Sequence, residues 1–135
     1  MYDINNKKIF TAGATSGIGK AIACKFAAQG ADLCLIGRNQ SKLDEIKGVI
    51  EARGSNKVTT LKADFEKRAE LELVINRIKK DYEKIDVLIH SAGSIHLGRL
   101  EEVPIDQLDR LYDINLRAPY LLTQQLIQKL RQAEG

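Results

Sequence analysis

The sequence predicts an α/β fold built on a doubly wound parallel sheet, and three observations predict it. Four short apolar runs alternate with longer segments of helical period. A glycine-rich stretch, "TAGATSGIG", joins the first run to the first helical segment. No internal repeat or low-complexity tract competes with that alternation. Strands that alternate with helices need crossover connections, and right-handed crossovers cover both faces of a parallel sheet. The chain reads β-α-β-α-β-α-β-α.

Lys8 to Ala12 is the first strand. Ile18, Ala21, Ile22 and Phe26 recur at three or four residues and give the first helix, closed by Gly30. Ala31 to Ile36 is the second strand. The helix after it carries Leu43, Ile46 and Ile50, with Ser41 as N-cap and Gly54 as C-cap residue. Lys57 to Leu61, with β-branched Val58, Thr59 and Thr60, is the third strand, and Leu71, Val74, Ile75, Ile78 and Tyr82 mark the third helix. Asp86 to His90 is the fourth strand. A last helix runs from about Ile105 to Arg131, with Pro104 suited to its first turn. Within it Pro119 has no N–H to give the carbonyl of Asn115, so the backbone should bend there.

At 135 residues, 44% hydrophobic and 29% charged, the chain is expected to form one soluble domain of cytoplasmic type, without a signal peptide or an apolar segment of membrane-spanning length. Cys24 and Cys34 sit in apolar patterns and lack C-x-x-C or metal-ligand spacing, which predicts reduced, packed thiols and no metal site. The net charge is +3, but Lys7, Lys8, Lys79 and Lys80 are mixed with acids rather than striped with aromatics. That is a solvated surface and not a nucleic-acid interface.

The glycine stretch falls where the first strand meets the first helix. There the helix N–H groups and the positive end of its dipole can hold an anion, provided side chains leave the backbone bare. Gly13, Gly17 and Gly19 meet that need in the manner of a Rossmann-type dinucleotide loop, for which the expected strand order is 3-2-1-4. A tight turn without a ligand is the competing reading, and the position inside a βαβ unit weighs against it. A Walker-type loop would need Gly at Ala14 and Ser or Thr at Ala21, and neither is present. After the second strand come Gly37, Arg38 and Asn39, with no carboxylate to meet ribose hydroxyls. A guanidinium fork there suits a 2′-phosphate, which favours NADP(H) over NAD(H); a plain loop cation is the alternative. Asp64 and Phe65 follow the third strand, where an Asp could cap the next helix, contact a ligand, or do both. Ser91, Ala92 and Gly93 end the fourth strand with small residues. His90 reads as a hydrogen-bonded residue of the sheet, and His96 as lining the substrate approach.

The loop spacing G-x-x-x-G-x-G, the Arg of "GRN", the Asp of "KADF", "IHSAG" at the fourth strand and "DINLRAPYLLTQ" in the last helix together resemble the short-chain dehydrogenase/reductase family. The resemblance runs the length of the chain and implies a cofactor-binding set of Gly13, Thr15, Ser16, Gly17, Ile18, Gly19, Arg38, Asn39, Asp64, Phe65, Ser91, Ala92 and Gly93. Asp64 would contact the adenine amino group, and Ser91 to Gly93 would lie by the nicotinamide-side ribose. Asn115 is the implied catalytic-set residue, holding through its main-chain carbonyl a water on a proton path to an active-site lysine. Two positions depart from the family pattern: Ala12 stands for a Thr that braces the loop, and His90-Ser91 for a pair of Asn residues. Where many members place a second basic residue in the loop, this chain has Ser16.

The family's Ser and Y-x-x-x-K are not found. Tyr2, Tyr82, Tyr112 and Tyr120 are followed four positions on by Asn6, Asp86, Leu116 and Gln124. The expectation is therefore the cofactor-binding half of an NADP(H)-dependent oxidoreductase for a small carbonyl or alcohol, incomplete at "LRQAEG" and inactive alone. The alternative is a non-catalytic dinucleotide-binding or interaction module. A homo-oligomer through the last helix, Leu108 to Leu130, is expected from apolar faces at Leu121, Leu122, Leu126 and Leu130.

Overall fold

The computed structural model describes residues 2–53 and 57–133, so the expected cap at Gly54 lies outside the described residues. Strands β1 (Lys8–Ala12), β2 (Asp32–Gly37), β3 (Val58–Lys62) and β4 (Val87–His90) form one parallel sheet in the order β3-β2-β1-β4. Each lies within one residue of its expected bounds. Phe10 of β1 pairs with Cys34 of β2 on one side and Leu88 of β4 on the other. From β1 the chain winds outward through β2 and β3, then returns to the opposite side for β4. The carboxyl ends of β1 and β4 therefore flank a crevice where neighbouring connections leave in opposite directions.

Helices α1 (Gly17–Ala27) and α2 (Gln40–Ala52) cover one face, and α3 (Arg68–Asp81) covers the other with α5 (Ala118–Gln132). Because both faces are covered, Ile9 to Ala12 are buried without alternation. Phe10, Ala12, Cys34 and Ile36 meet Leu71, Val74, Ile75, Ile78, Leu122 and Leu126. Ile9, Leu33 and Leu35 meet Ala23, Ala27, Leu43, Ile46 and Ile50. Each Leu or Ile so withdrawn from water contributes roughly 1.5–3 kcal/mol. Both cysteines are free, Cys34 buried and Cys24 partly so. Burial pushes the Cys34 thiol up to about 12. Among the described residues no helix is long and apolar enough to cross a membrane.

Three expectations about helices are corrected. The inward stripe of α1 is Gly19, Ala23 and Ala27, whereas Ile18 is 75% exposed; small residues let this helix approach the sheet closely, and that contact sets its rotation. The N-cap of α2 is Asn39 and not Ser41: Asn39 is extended, and its Oδ1 accepts from the Lys42 N–H at 3.1 Å. The single last helix is divided into α4 (Ile105–Tyr112), a π-helical turn Asp113–Arg117 and α5. The Ala118 N–H bonds the Asp113 carbonyl, a five-residue step, and Pro119 lies in the first turn of α5.

The expected exposed face of the last helix is corrected too. Leu122 and Leu126 are fully buried against α3, and Leu121 and Leu130 pack at the edge of that core. The apolar residues left outside are Ile105, Leu108, Tyr112, Leu116 and Tyr120. Helix α4 buries none of its residues; ion pairs from Arg110 to Glu66 and from Arg68 to Asp113 tether this segment.

Candidate functional site

All four strands point their carboxyl ends at one cleft of about 290 Å³. It gathers Gly13, Thr15 and Ser16 after β1, Arg38 and Asn39 after β2, Asp64 and Phe65 after β3, and Ser91, Ala92 and Gly93 after β4. Ten of the expected residues thus come together from four separate segments. Gly17, Ile18, Gly19 and Asn115 do not line it.

The floor of the cleft is backbone packed on backbone. Gly13 has φ +85°, and a Cβ there would stand 2.3 Å from the Ala92 nitrogen, so both its conformation and its neighbour exclude a side chain. A Cβ on Gly19 would lie 2.1 Å from the Gly13 carbonyl oxygen, which brings α1 down onto the loop. Gly17 differs: its φ is +52° and open space lies where its Cβ would be. Ser16, the residue before α1, is extended and makes no side-chain cap bond. The first N–H groups of α1 therefore have no side-chain acceptor from their own cap, as an anion-binding helix start requires. Thr15 packs against Gly37, its Cγ2 2.8 Å from where a Cβ on that glycine would stand.

Beside β2 the cleft is cationic. Arg38 and Lys42 both line it, both are exposed, and neither forms an ion pair among the described residues. The first turn of α2 holds no acid. Sequence reading missed Lys42. Its signal was present as a cation four residues after Arg38, in the first turn of the helix that follows.

Asp64 shapes its own turn. Its N–H donates to Glu70 Oε2 at 2.9 Å, its Oδ1 accepts from the Glu66 N–H at 3.1 Å, and its carbonyl accepts from the Lys67 N–H at 2.9 Å. Helix α3 begins at Arg68 with Lys67 as N-cap residue, so Asp64 orders the lead-in and does not cap the helix. The Asp64 N–H, and then Lys67, hold the Glu70 carboxyl below its ordinary range.

At the β4 end, the Ser91 N–H bonds the Ala12 carbonyl at 2.8 Å and carries the sheet one residue farther. Asn115 then grips the strand's exit with both ends of its amide. Oδ1 accepts from the Ser94 N–H at 2.8 Å, and Nδ2 donates to the Ser94 carbonyl at 2.7 Å. Asn115 is thus outside the cleft, but it holds the segment that forms one wall. His90 also lies outside, its Nε2 2.8 Å from Thr123 Oγ1 on α5, and desolvation lowers its pKa. His96 is exposed in the β4–α4 connection and does not line the cleft.

The arrangement can hold an extended anionic ligand across the carboxyl edge of the sheet, with bare backbone at the centre and cations at one end. Sheet order, glycine loop and switch-point cleft define the class: a Rossmann-like fold. Within that class the chain belongs to the short chain dehydrogenase family, whose model matches residues 7–135. This is a family of oxidoreductases that bind NAD(P) and act on small molecules. The chain is 33% identical over 123 residues to an NAD-dependent glycerol dehydrogenase of Listeria innocua, covering 91% of this chain and 47% of that protein. It is 31% identical to a D-beta-hydroxybutyrate dehydrogenase of Cupriavidus necator, covering 97% and 50%. Among solved structures, a short chain dehydrogenase from Shigella flexneri complexed with NADP superposes with a TM-score of 0.86 at 27% identity, over 96% of this chain and 56% of that one. The chain spans about half the length of the curated relatives it matches.

Proposed function

We propose that these residues form the dinucleotide-binding half of an NADP(H)-dependent oxidoreductase that interconverts a small carbonyl compound and its alcohol. The observation that carries the cofactor choice is Arg38, which lines the cleft directly after β2 without a carboxylate partner among the described residues. An acid at that place would suit ribose hydroxyls, and a guanidinium suits a 2′-phosphate. The NADP complex of the Shigella flexneri relative supports the same reading, while the glycerol dehydrogenase of Listeria innocua is described as NAD-dependent. Family membership therefore leaves the choice to residues of this chain.

The residues present fit the group. The backbone cradle at Gly13 and the uncapped start of α1 would take the pyrophosphate, Arg38 the 2′-phosphate, and Asp64 with Phe65 the adenine side. Small Ser91, Ala92 and Gly93 leave room for the second ribose. When bound, the nicotinamide supplies or accepts a hydride. Asn115 contributes by fixing Ser94, and Pro119 offers its carbonyl no N–H, leaving that oxygen available to a water.

No tyrosine in the 135 residues has a lysine four positions on, so the chain by itself is proposed to bind cofactor without turnover; lack of a positioned acid costs about 10² to 10⁴ in rate. Calorimetry with NADPH and NADH tests the reading, with Arg38→Asp as the reversing variant. A charge-assisted contact predicts NADPH tighter by roughly 1.5–3 kcal/mol, about ten- to a hundredfold. Tighter NADH binding by the unmutated chain would overturn it, and ketone-dependent NADPH oxidation by these residues would overturn the claim that they bind cofactor without turnover.

A further inference from the structure

We infer that Lys42 is a second specificity-determining residue for the 2′-phosphate, acting from the first turn of α2 beside Arg38. The inference rests on the NADP(H) reading above.

Three observations meet at this residue. Lys42 lines the same cleft as Arg38; Ser16 and Asn39 in that lining carry no charge, and its one acid, Asp64, has Oδ1 engaged by the Glu66 N–H in its own turn. It is exposed, and no carboxylate pairs with it among the described residues. The acid nearest in the helix with a hydrogen bond of its own, Asp44, accepts from Gln40 Nε2 at 2.8 Å. Finally, Lys42 occupies the turn of a helix that least suits a cation. The first turn carries the positive end of the helix dipole, where acids are favoured, and this one has none. Asn39 Oδ1 caps the Lys42 N–H with a neutral acceptor, so the cap does not offset the charge. The dipole end, Lys42 and Arg38 therefore add potentials of one sign, against the single carboxylate of Asp64 in the lining.

For the folded protein alone that arrangement is unfavourable, and a Glu or Asp at position 42 would suit the helix better. A dianionic phosphate reverses the balance, since it gains from both cations and from the helix end together. Two cations on adjacent elements, one on the loop and one in the first turn of α2, also hold a tetrahedral anion from two directions. Arg38 alone would hold it from one.

The test uses two probes that differ by the phosphate in question, adenosine 2′,5′-bisphosphate and adenosine 5′-monophosphate, titrated into the 135-residue chain. Lys42→Gln is expected to weaken the bisphosphate by about 5- to 20-fold and to leave the monophosphate within about twofold. Lys42→Arg should keep most of the preference. Lys42→Glu should abolish it while raising the melting temperature of the ligand-free chain by about 1–3 °C, because an acid suits the helix start. Opposite movement of binding and stability excludes unfolding as the cause of lost affinity. If Lys42→Gln binds the bisphosphate like the wild type while Arg38→Gln does not, the inference fails and the NADP(H) reading stands. If the wild type does not prefer the bisphosphate at all, that reading itself falls.

Discussion

Two glycines of one loop should respond to the same substitution in different ways. At Gly13, an added methyl meets a positive φ of +85° and a backbone nitrogen at 2.3 Å, with Ala92 Cα at 2.6 Å. The left-handed conformation costs an L-residue about 1–2 kcal/mol, and forcing apart backbone that is already packed adds roughly 1–3 kcal/mol. At Gly17 the φ of +52° exacts the first cost only, since nothing lies within 4 Å of the new Cβ. Restriction of the unfolded chain offsets part of it, leaving about 1 kcal/mol. For a chain of this size, 1 kcal/mol moves the melting temperature by about 3–5 °C. Gly17→Ala should therefore melt about 3–5 °C lower and Gly13→Ala about 10 °C lower or more, by circular dichroism. Under the proposed function the folded Gly17→Ala variant also loses NADPH affinity, by about tenfold, because its methyl narrows the approach to the uncapped start of α1. A Gly13→Ala variant no less stable than Gly17→Ala would refute the argument that contact with Ala92 dictates the loop. Wild-type NADPH affinity in folded Gly17→Ala would refute the role given to that open space.

Asn115→Ala removes both bonds to Ser94 and should cost about 1–3 kcal/mol in chemical denaturation, with faster amide exchange at Ser94 as the local readout; unchanged exchange would count against the clamp. The pH dependence concerns His90, whose folded-state pKa lies below its ordinary 6.5 because of desolvation. The unfolded chain then takes up the proton first as pH falls, so stability present above pH 6.5 is lost as pH drops from there toward the lowered folded-state value. Melting curves from pH 7.5 to 5.5 should show that loss, and His90→Asn should lessen it; an identical slope in the variant would refute the assignment.

Much of the fold was legible because burial imposes periods on the sequence. Strands covered on both faces must be short apolar runs, and α2 and α3 show their inward residues, Leu43, Ile46, Ile50 and Leu71 to Ile78, at helical spacing. Helix α1 misled for a physical reason. Its contact with the sheet is made by Gly19, Ala23 and Ala27, and a stripe of small residues does not stand out beside Ile18 and Ile22. The gathering of ten expected site residues into one cleft followed from topology, since the carboxyl ends of parallel strands share an edge. Lys42 escaped because its chemistry depends on where the turn of α2 puts it and not on a motif. The face of the last helix was not legible because apolar residues at helical spacing do not say which neighbour covers them: Leu122 and Leu126 pack into the core with α3, and Leu116 and Tyr120 stay outside. The π turn adds a further break in the period, since one extra residue rotates what lies beyond it by about 100°.

That π turn also explains how the helix and the cleft are joined. A five-residue step leaves part of a helix's regular bonding unmade, which ordinarily disfavours it. Here the regular bond to the Asn115 carbonyl is absent whichever way the chain winds, because its donor would be Pro119. The turn consequently costs less at this point than elsewhere in the helix. In return, Ile114 and Ala118 remain in the core on either side while Asn115 between them reaches Ser94 with both amide atoms. Gly93 completes the fit, since a Cβ there would already stand 3.4 Å from Asn115 Oδ1. The segment that leaves β4 is thus fixed to a helix packed on the sheet rather than left to the long connection that follows. A local irregularity, Pro119, thereby sets the position of a wall of the cleft from outside it.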